Sequence, residues 1–217
     1  MEEARQYSAV ITLGFDPGGG DSFGCAVVTD GDAVSATTGS VDEAVDWVVS
    51  QLFGRTPNGA GIDTLLFWQT TRSGWRGADE YLRARFPARR NSVLCSNGLY
   101  GSMAVQGATL AVRLRERWPS LFLTETHPKV LWEHLASGIP YPREPEPSHP
   151  AVLWLSEALE TEINPTNEHE FDALLSGWAA DRACRGMWTL DLATIEARHQ
   201  RSANVSLVAD VHYLWPE

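Results

Sequence analysis

The chain has 217 residues, 43% of them apolar and 21% charged, and its 28 acids outweigh 17 lysines and arginines to leave a formal net charge of −11. This composition excludes disorder throughout, and the acidic balance argues against a generally basic nucleic-acid coat and against an anionic membrane surface as partner. The length fits one domain that buries roughly 70% of its unfolded surface, read as a single unit over residues 1–217 with insertions at about 69–100 and 137–150.

Residues 9–16 are β-branched and apolar and stop at Asp16-Pro17-Gly18-Gly19-Gly20, the pattern of a buried strand running into a glycine loop. A second strand, about Phe23 to Thr29, meets the tight-turn signal Asp30-Gly31-Asp32, and a third covers Ala33 to Thr38, giving an antiparallel meander. Val41, Ala44, Val45, Val48 and Leu52 then recur at helical spacing behind a capping box of Ser40 and Glu43. After a turn at Thr56-Pro57-Asn58-Gly59, residues Ile62 to Trp68 read as a core strand and Ala78 to Phe86 as a short helix stopped by Pro87. A long helix is expected over Ser102 to Trp118, a strand over Leu121 to Thr126 and a short helix over Pro128 to Leu135. Residues 139–150 hold five of the twelve prolines and read as an irregular excursion. A last strong helix spans about Glu168 to Ala183 with Asn167 as N-cap, and the tail, including Val205 to Leu214, is apolar enough for one more strand. Helices separating the later strands imply crossovers and a partly parallel sheet covered on both faces.

Cys25, Cys95 and Cys184 lie far apart with no CxxC pair, which supports neither a disulfide framework nor a zinc knuckle. Met1 to Ser8 carries no apolar core, and no run approaches a spanning length. A cytoplasmic protein with no membrane partner is therefore expected.

Several acids stand where acids are costly: Asp16 at the end of an apolar strand, Glu125 at the end of Leu-Phe-Leu-Thr-Glu, and Asp172 in the first turns of an apolar helix. A carboxylate at a buried strand end needs a partner, and three converging ones repel each other strongly. A hard divalent ion resolves that repulsion, and carboxylate donors favour Mg²⁺ or Mn²⁺ over zinc. Each acid also has a plainer reading: an Asx turn for Asp16, an ion pair with an arginine of the preceding helix for Glu125, and a helix-dipole carboxylate for Asp172. Asp63 shares the strand context but falls nearer the start of its expected strand, and Glu168 and Glu170 fit a solvated first turn. The glycines of Gly14 to Gly24 lack both the P-loop Gly-Lys-Ser/Thr and the GxGxxG spacing. Between Arg72 and Arg90 six arginines face Asp79 and Glu80, a balance of +4, with Trp75, Tyr81 and Phe86 interleaved. Arginines among aromatics suit a nucleic-acid backbone, and an ordinary salt-bridged helix face has the same composition. Residues 125–172, by contrast, carry ten acids against Lys129 and Arg143. His127, two residues beyond Glu125, is placed to assist proton transfer, to cap a helix or to fill a core position.

Gly14-Phe15-Asp16-Pro17-Gly18, Ile62-Asp63 with Ala78-Asp79-Glu80-Tyr81-Leu82-Arg83, Glu125-Thr126-His127-Pro128-Lys129 and Glu170-Phe171-Asp172-Ala173-Leu174 resemble, in order and spacing, the motifs of the predicted RNase H-like nucleases catalogued as domain of unknown function 429. The similarity spans about residues 9–185, and where that family has a proline soon after the Asp63 position this chain has Thr64-Leu65-Leu66. The resemblance implies an α/β, ribonuclease-H-like fold: a five-stranded mixed sheet, its first three strands antiparallel, with helices on both faces. It also implies an acidic metal site of Asp16, Glu125 and Asp172, with Asp63 as a further ligand.

The expectation is thus a Mg²⁺- or Mn²⁺-dependent nuclease that cleaves RNA or DNA by a two-metal-ion mechanism. Asp16, Glu125 and Asp172 are the catalytic acids, and Arg72, Arg76, Arg83, His127 and Lys129 hold a nucleic-acid substrate. Two rivals stand beside it. One is a catalytically inactive RNase H-like binding or scaffold protein, which predicts the carboxylates apart or paired to arginines. The other is an actin-like phosphotransferase, which normally needs a second copy of such a domain.

Overall fold

In the computed structural model, which describes residues 9–70, 72–95, 98, 101–197 and 204–217, the meander forms as the turn signals require. It comprises β1 (Thr12–Pro17), β2 (Phe23–Thr29) and β3 (Asp32–Thr38), each antiparallel to the next. Helix α1 (Val41–Leu52) follows, its Ser40 side chain accepting from the Glu43 amide, and leads into β4 (Gly59–Ile62). After β5 (Trp68–Gln69) come α2 (Gly77–Arg85), α3 (Ser102–Arg117), β6 (Phe122–Glu125), α4 (Pro128–Leu135), α5 (Pro150–Leu159) and α6 (Glu168–Cys184). The chain closes with β7 (Leu190–Asp191), β8 (Asn204–Val205), β9 (Val211–His212) and β10 (Leu214–Trp215).

The main sheet has six strands in the order β3-β2-β1-β4-β6-β9, not five, because the short β9 pairs with β6. The pairs β1/β4, β4/β6 and β6/β9 are parallel, so the sheet is mixed, with its antiparallel strands on one side. The expected tail strand over Val205 to Leu214 is divided among β8, β9 and β10, of which β8 pairs with β5 and β10 with β7. The expected strand over Ile62 to Trp68 is also displaced. Strand β4 ends at Ile62, which puts Asp63 just past its C-terminal end instead of near its start. Helix α5 follows the proline-rich excursion, with Pro150 in its first turn and the His149 side chain accepting from the Ala151 amide.

Strand alternation assigns the two faces. Leu13 and Phe15 of β1, with Ala60 and Ile62 of β4, pack in a core with Val48 of α1 and Leu110 of α3. The opposite residues, Gly14 and Gly61, lie against α6. A Cβ on Gly14 would stand 1.8 Å from the Ala173 carbonyl oxygen, and one on Gly61 would stand 2.1 Å from that of Ser176. Helix α6 therefore lies directly on the backbone of β1 and β4, fixed there by the Thr12 hydroxyl donating to the Gly177 carbonyl at 2.8 Å. Its other sides meet α4 and α5 through Phe171, Trp132, Leu155 and Trp178. Buried on nearly every side, α6 lacks a polar face.

Candidate active site

The same alternation decides which acids meet. Residues 12, 14 and 16 of β1 face α6, as do residues 59 and 61 of β4, with Asp63 next in that series. Asp16, Asp63 and Asp172 are consequently brought to the ends of β1 and β4 against the start of α6, and each is buried, with exposures of 4%, 9% and 1%. Along β6, however, Leu121 and Leu123 belong to the core under α1 and α3, whereas the Thr126 hydroxyl lies 2.8 Å from that of Ser176 on α6. Glu125 has the parity of the leucines and points away from α6.

Glu125 is bound by an arginine. Both guanidinium ends of Arg76 donate to it at 2.7 Å, and the Leu66 amide donates at 3.0 Å. Arg76 also donates to both oxygens of Asp79 and to the Phe67 carbonyl, so each of its five N–H groups is engaged. Burial works against its charge, but Glu125 and Asp79 override that and hold its pKa above the ordinary value. Arg76, expected to grip substrate, is 1% exposed and fully committed inside the protein. Arg83 is committed too, donating to the Arg90 and Val93 carbonyls and lying 4.6 Å from the Trp75 ring centroid. Arg72 is exposed.

The three converging acids are held by bases and one phenol. His169 Nδ1 lies 2.7 Å from Asp16 Oδ2, and His127 Nδ1 lies 3.5 Å from Asp63 Oδ1. The Tyr141 hydroxyl donates to Asp172 Oδ1 at 2.6 Å, and Lys129 Nζ stands 4.0 Å from Asp172 Oδ2. His127 thus precedes α4 and also touches the Ser92 carbonyl through Nε2 at 3.0 Å. Burial raises the Asp16 pKa to about 6, against the lowering effect of the His169 hydrogen bond and with a further rise from Asp63. Burial and the charges of Asp16 and Asp63 raise that of Asp172 well above the ordinary carboxylate value. Burial also opposes the Lys129 charge, yet Asp172, Glu168, Asp63 and Asp16 together raise its pKa.

His169 and Tyr141 escaped the sequence reading. His169 lies three residues before Asp172, on the same helical face, a spacing that was open to inspection. Tyr141 sits in the proline-rich excursion, where no periodicity marks a side chain as inward. Glu170, read as solvated, is buried and tied to Ser35, Thr37 and Thr166, which anchors α6 to β3.

Buried, mutually repelling carboxylate oxygens are the donor chemistry of a hard divalent cation. Among the described residues, however, no three histidine, cysteine, aspartate or glutamate side chains are grouped closely enough to hold one ion. The fit therefore lies in donor type, burial and shared charge, while each carboxylate is turned to a donor of the protein.

No family model matches the chain, and no curated protein matches it. Among solved structures it is similar to Thermus thermophilus RuvC, with 15% identity, 82% of this chain and 97% of that one covered and a TM-score of 0.42. It is also similar to T. thermophilus RuvC in complex with a Holliday junction substrate, with 14% identity, coverage of 86% and 98% and a TM-score of 0.46. Among the described residues no helix is long and apolar enough to cross a membrane.

Proposed function

We propose that the protein is a ribonuclease-H-like nuclease that hydrolyses phosphodiester bonds at a site made by Asp16, Asp63 and Asp172. The observation that supports this reading is the gathering of three buried carboxylates at the ends of two parallel strands and the start of one helix, with Asp16 raised in pKa by burial and by Asp63, and Asp172 by burial and by the charges of Asp16 and Asp63. Buried acids whose charges perturb one another at a sheet edge mark a candidate functional site. The inactive-scaffold alternative draws on the arginine pairing of Glu125.

Asp16, Asp63 and Asp172 would hold Mg²⁺ or Mn²⁺. Bound there, the metal would supply Lewis acidity toward the phosphoryl oxygens and a water acidic enough to act as nucleophile. The residues of the chain do the rest. Lys129 presents a cation beside Asp172 to the substrate phosphate. His169 holds or releases a proton at Nδ1 beside Asp16. Glu125, fixed by Arg76, positions the β6 end and the His127 that follows it and takes no part in holding the metal. The test is hydrolysis of single-stranded, duplex and hybrid substrates with Mg²⁺ or Mn²⁺. Asp172→Asn is expected to lower the rate at least about a hundredfold, the scale of losing one electrostatic contributor, while Glu125→Gln in folded protein retains most of it. Full activity in Asp172→Asn would rule the site out.

A further inference from the structure

Two hollows share Lys129: one is lined in part by Asp63, the other by Tyr141 and Lys129, the partners of Asp172. One, of about 210 Å³, is walled by Leu65, Leu82, Val93, Leu94 and Met103 and opens beside Asp63 and His127. The other, of about 510 Å³, collects Arg89, Lys129 and Arg143 around Tyr141, with Glu168 also on its wall. Arg143 makes no ion pair or hydrogen bond within the described residues, and Arg89 shares only its Nε with Glu133, at 3.2 Å. A strongly acidic chain thus gathers three cations in one hollow, next to an apolar recess that reaches Asp63, with Lys129 common to both.

We infer that these hollows accept one unpaired nucleotide, its base in the apolar recess and a neighbouring phosphate among Arg89, Lys129 and Arg143. This rests on the proposed phosphodiesterase function and adds the substrate class to it. The recess suits a planar heterocycle: five apolar side chains line it, the Arg76, Asp79 and Glu125 groups on its lining are already hydrogen-bonded together, and the Thr64, Ser92 and Thr126 hydroxyls already have protein partners, so it asks no particular base edge for a partner. A base can enter only with its own edge free of pairing, and extracting one from a duplex carries an unstacking and unpairing cost that a single strand avoids. The basic hollow contributes backbone contacts shared by single strand and duplex, and so sets register without discriminating between them.

The experiment measures fluorescence anisotropy of labelled oligothymidylate, alone and annealed to oligoadenylate, on the full chain carrying Asp172→Asn so that turnover does not intervene. The single strand is expected to bind roughly tenfold more tightly than the duplex, the scale of one sequestered base. Met103→Trp or Leu94→Trp, each checked for an unchanged far-ultraviolet spectrum, fills the recess and removes that preference. Arg143→Ala weakens both ligands alike. Equal affinity for the two ligands, or a preference that survives both tryptophan variants, overturns the inference. Hydrolysis by the wild-type chain and its loss in Asp172→Asn are read separately, so failure of the phosphodiesterase reading is recognised on its own.

Discussion

At the scale of single residues, Asp16 carries the clearest cost. Its folded-state pKa of about 6 lies above the ordinary 3.8, because burial dominates and Asp63 adds to it while His169 opposes both. The folded chain consequently binds this proton more tightly than the unfolded chain does. Stability from this group is fully present below about pH 4 and is lost as pH rises through about 6. His169 acts in the same sense: its hydrogen bond to Asp16 raises its pKa against burial, so its contribution too is lost as pH rises through that folded value. In chelator-treated buffer the protein should therefore melt at a higher temperature near pH 5 than near pH 7.5, and Asp16 alone accounts for about 1.4 kcal/mol of the difference, roughly half of its full effect because its unfolded carboxyl is already mostly ionised at pH 5. Asp16→Asn should flatten that dependence and stabilise the protein near pH 7.5, because it removes a charge that burial disfavours. Thermal melts of both proteins across this range check it; a wild-type melting temperature that rises from pH 5 to pH 7.5 would contradict the assignment.

At the scale of elements, the site depends on how closely α6 approaches β1 and β4. Gly14→Ala places a methyl group against the backbone of Ala173 and Gly177, neither of which has a flexible end to move. The helix must shift, carrying His169 and Asp172 away from Asp16. The expected loss is at least about 3 kcal/mol in denaturant unfolding, or failure to fold, with a smaller cost at the open, positive-φ Gly31 of the β2–β3 turn. Arg76→Ala belongs to the same scale. It leaves Glu125 and Asp79 buried without their cation and should cost about 3–5 kcal/mol, far more than a surface pair such as Arg113 with Asp42. These packing facts also explain what the sequence showed. The Ser40 and Asn167 caps were legible because capping is a local interaction. Strand β4 was misplaced because Gly59-Ala60-Gly61 has the composition of a turn, whereas its small size answers to a helix far along the chain. Glu125 is separated from Asp16 and Asp172 by side-chain parity, which strand-end position alone does not reveal: Thr126 beside it meets α6, while Glu125 pairs with Arg76. Asp16 and Asp172 were recognisable as acids in apolar surroundings, but the partners that hold them, His169 and Tyr141, depend on tertiary contact.

At the scale of the whole molecule, the net charge of −11 and the acid site make different demands on added cations. Diffuse self-repulsion is relieved by any salt, since screening depends on ionic strength and not on the identity of the ion. A site formed by Asp16, Asp63 and Asp172 instead responds to a divalent ion by mass action, adding about 2.7 kcal/mol of stability when free metal reaches about a hundred times its dissociation constant. The two are separated by melting the protein in Mg²⁺ or Mn²⁺ and in sodium chloride of equal ionic strength. Divalent metal should raise the midpoint saturably beyond the sodium control, and Asp172→Asn should reduce the response to the sodium level. A divalent shift of the same size in Asp172→Asn would locate the effect in the general acidity of the surface. The readout requires no turnover, so it judges the metal site apart from the substrate. If the response is lost in Asp172→Asn, the proposed site of Asp16, Asp63 and Asp172 accounts for the part of the acidity that a specific cation relieves, and the remaining acids account for the part that any salt screens.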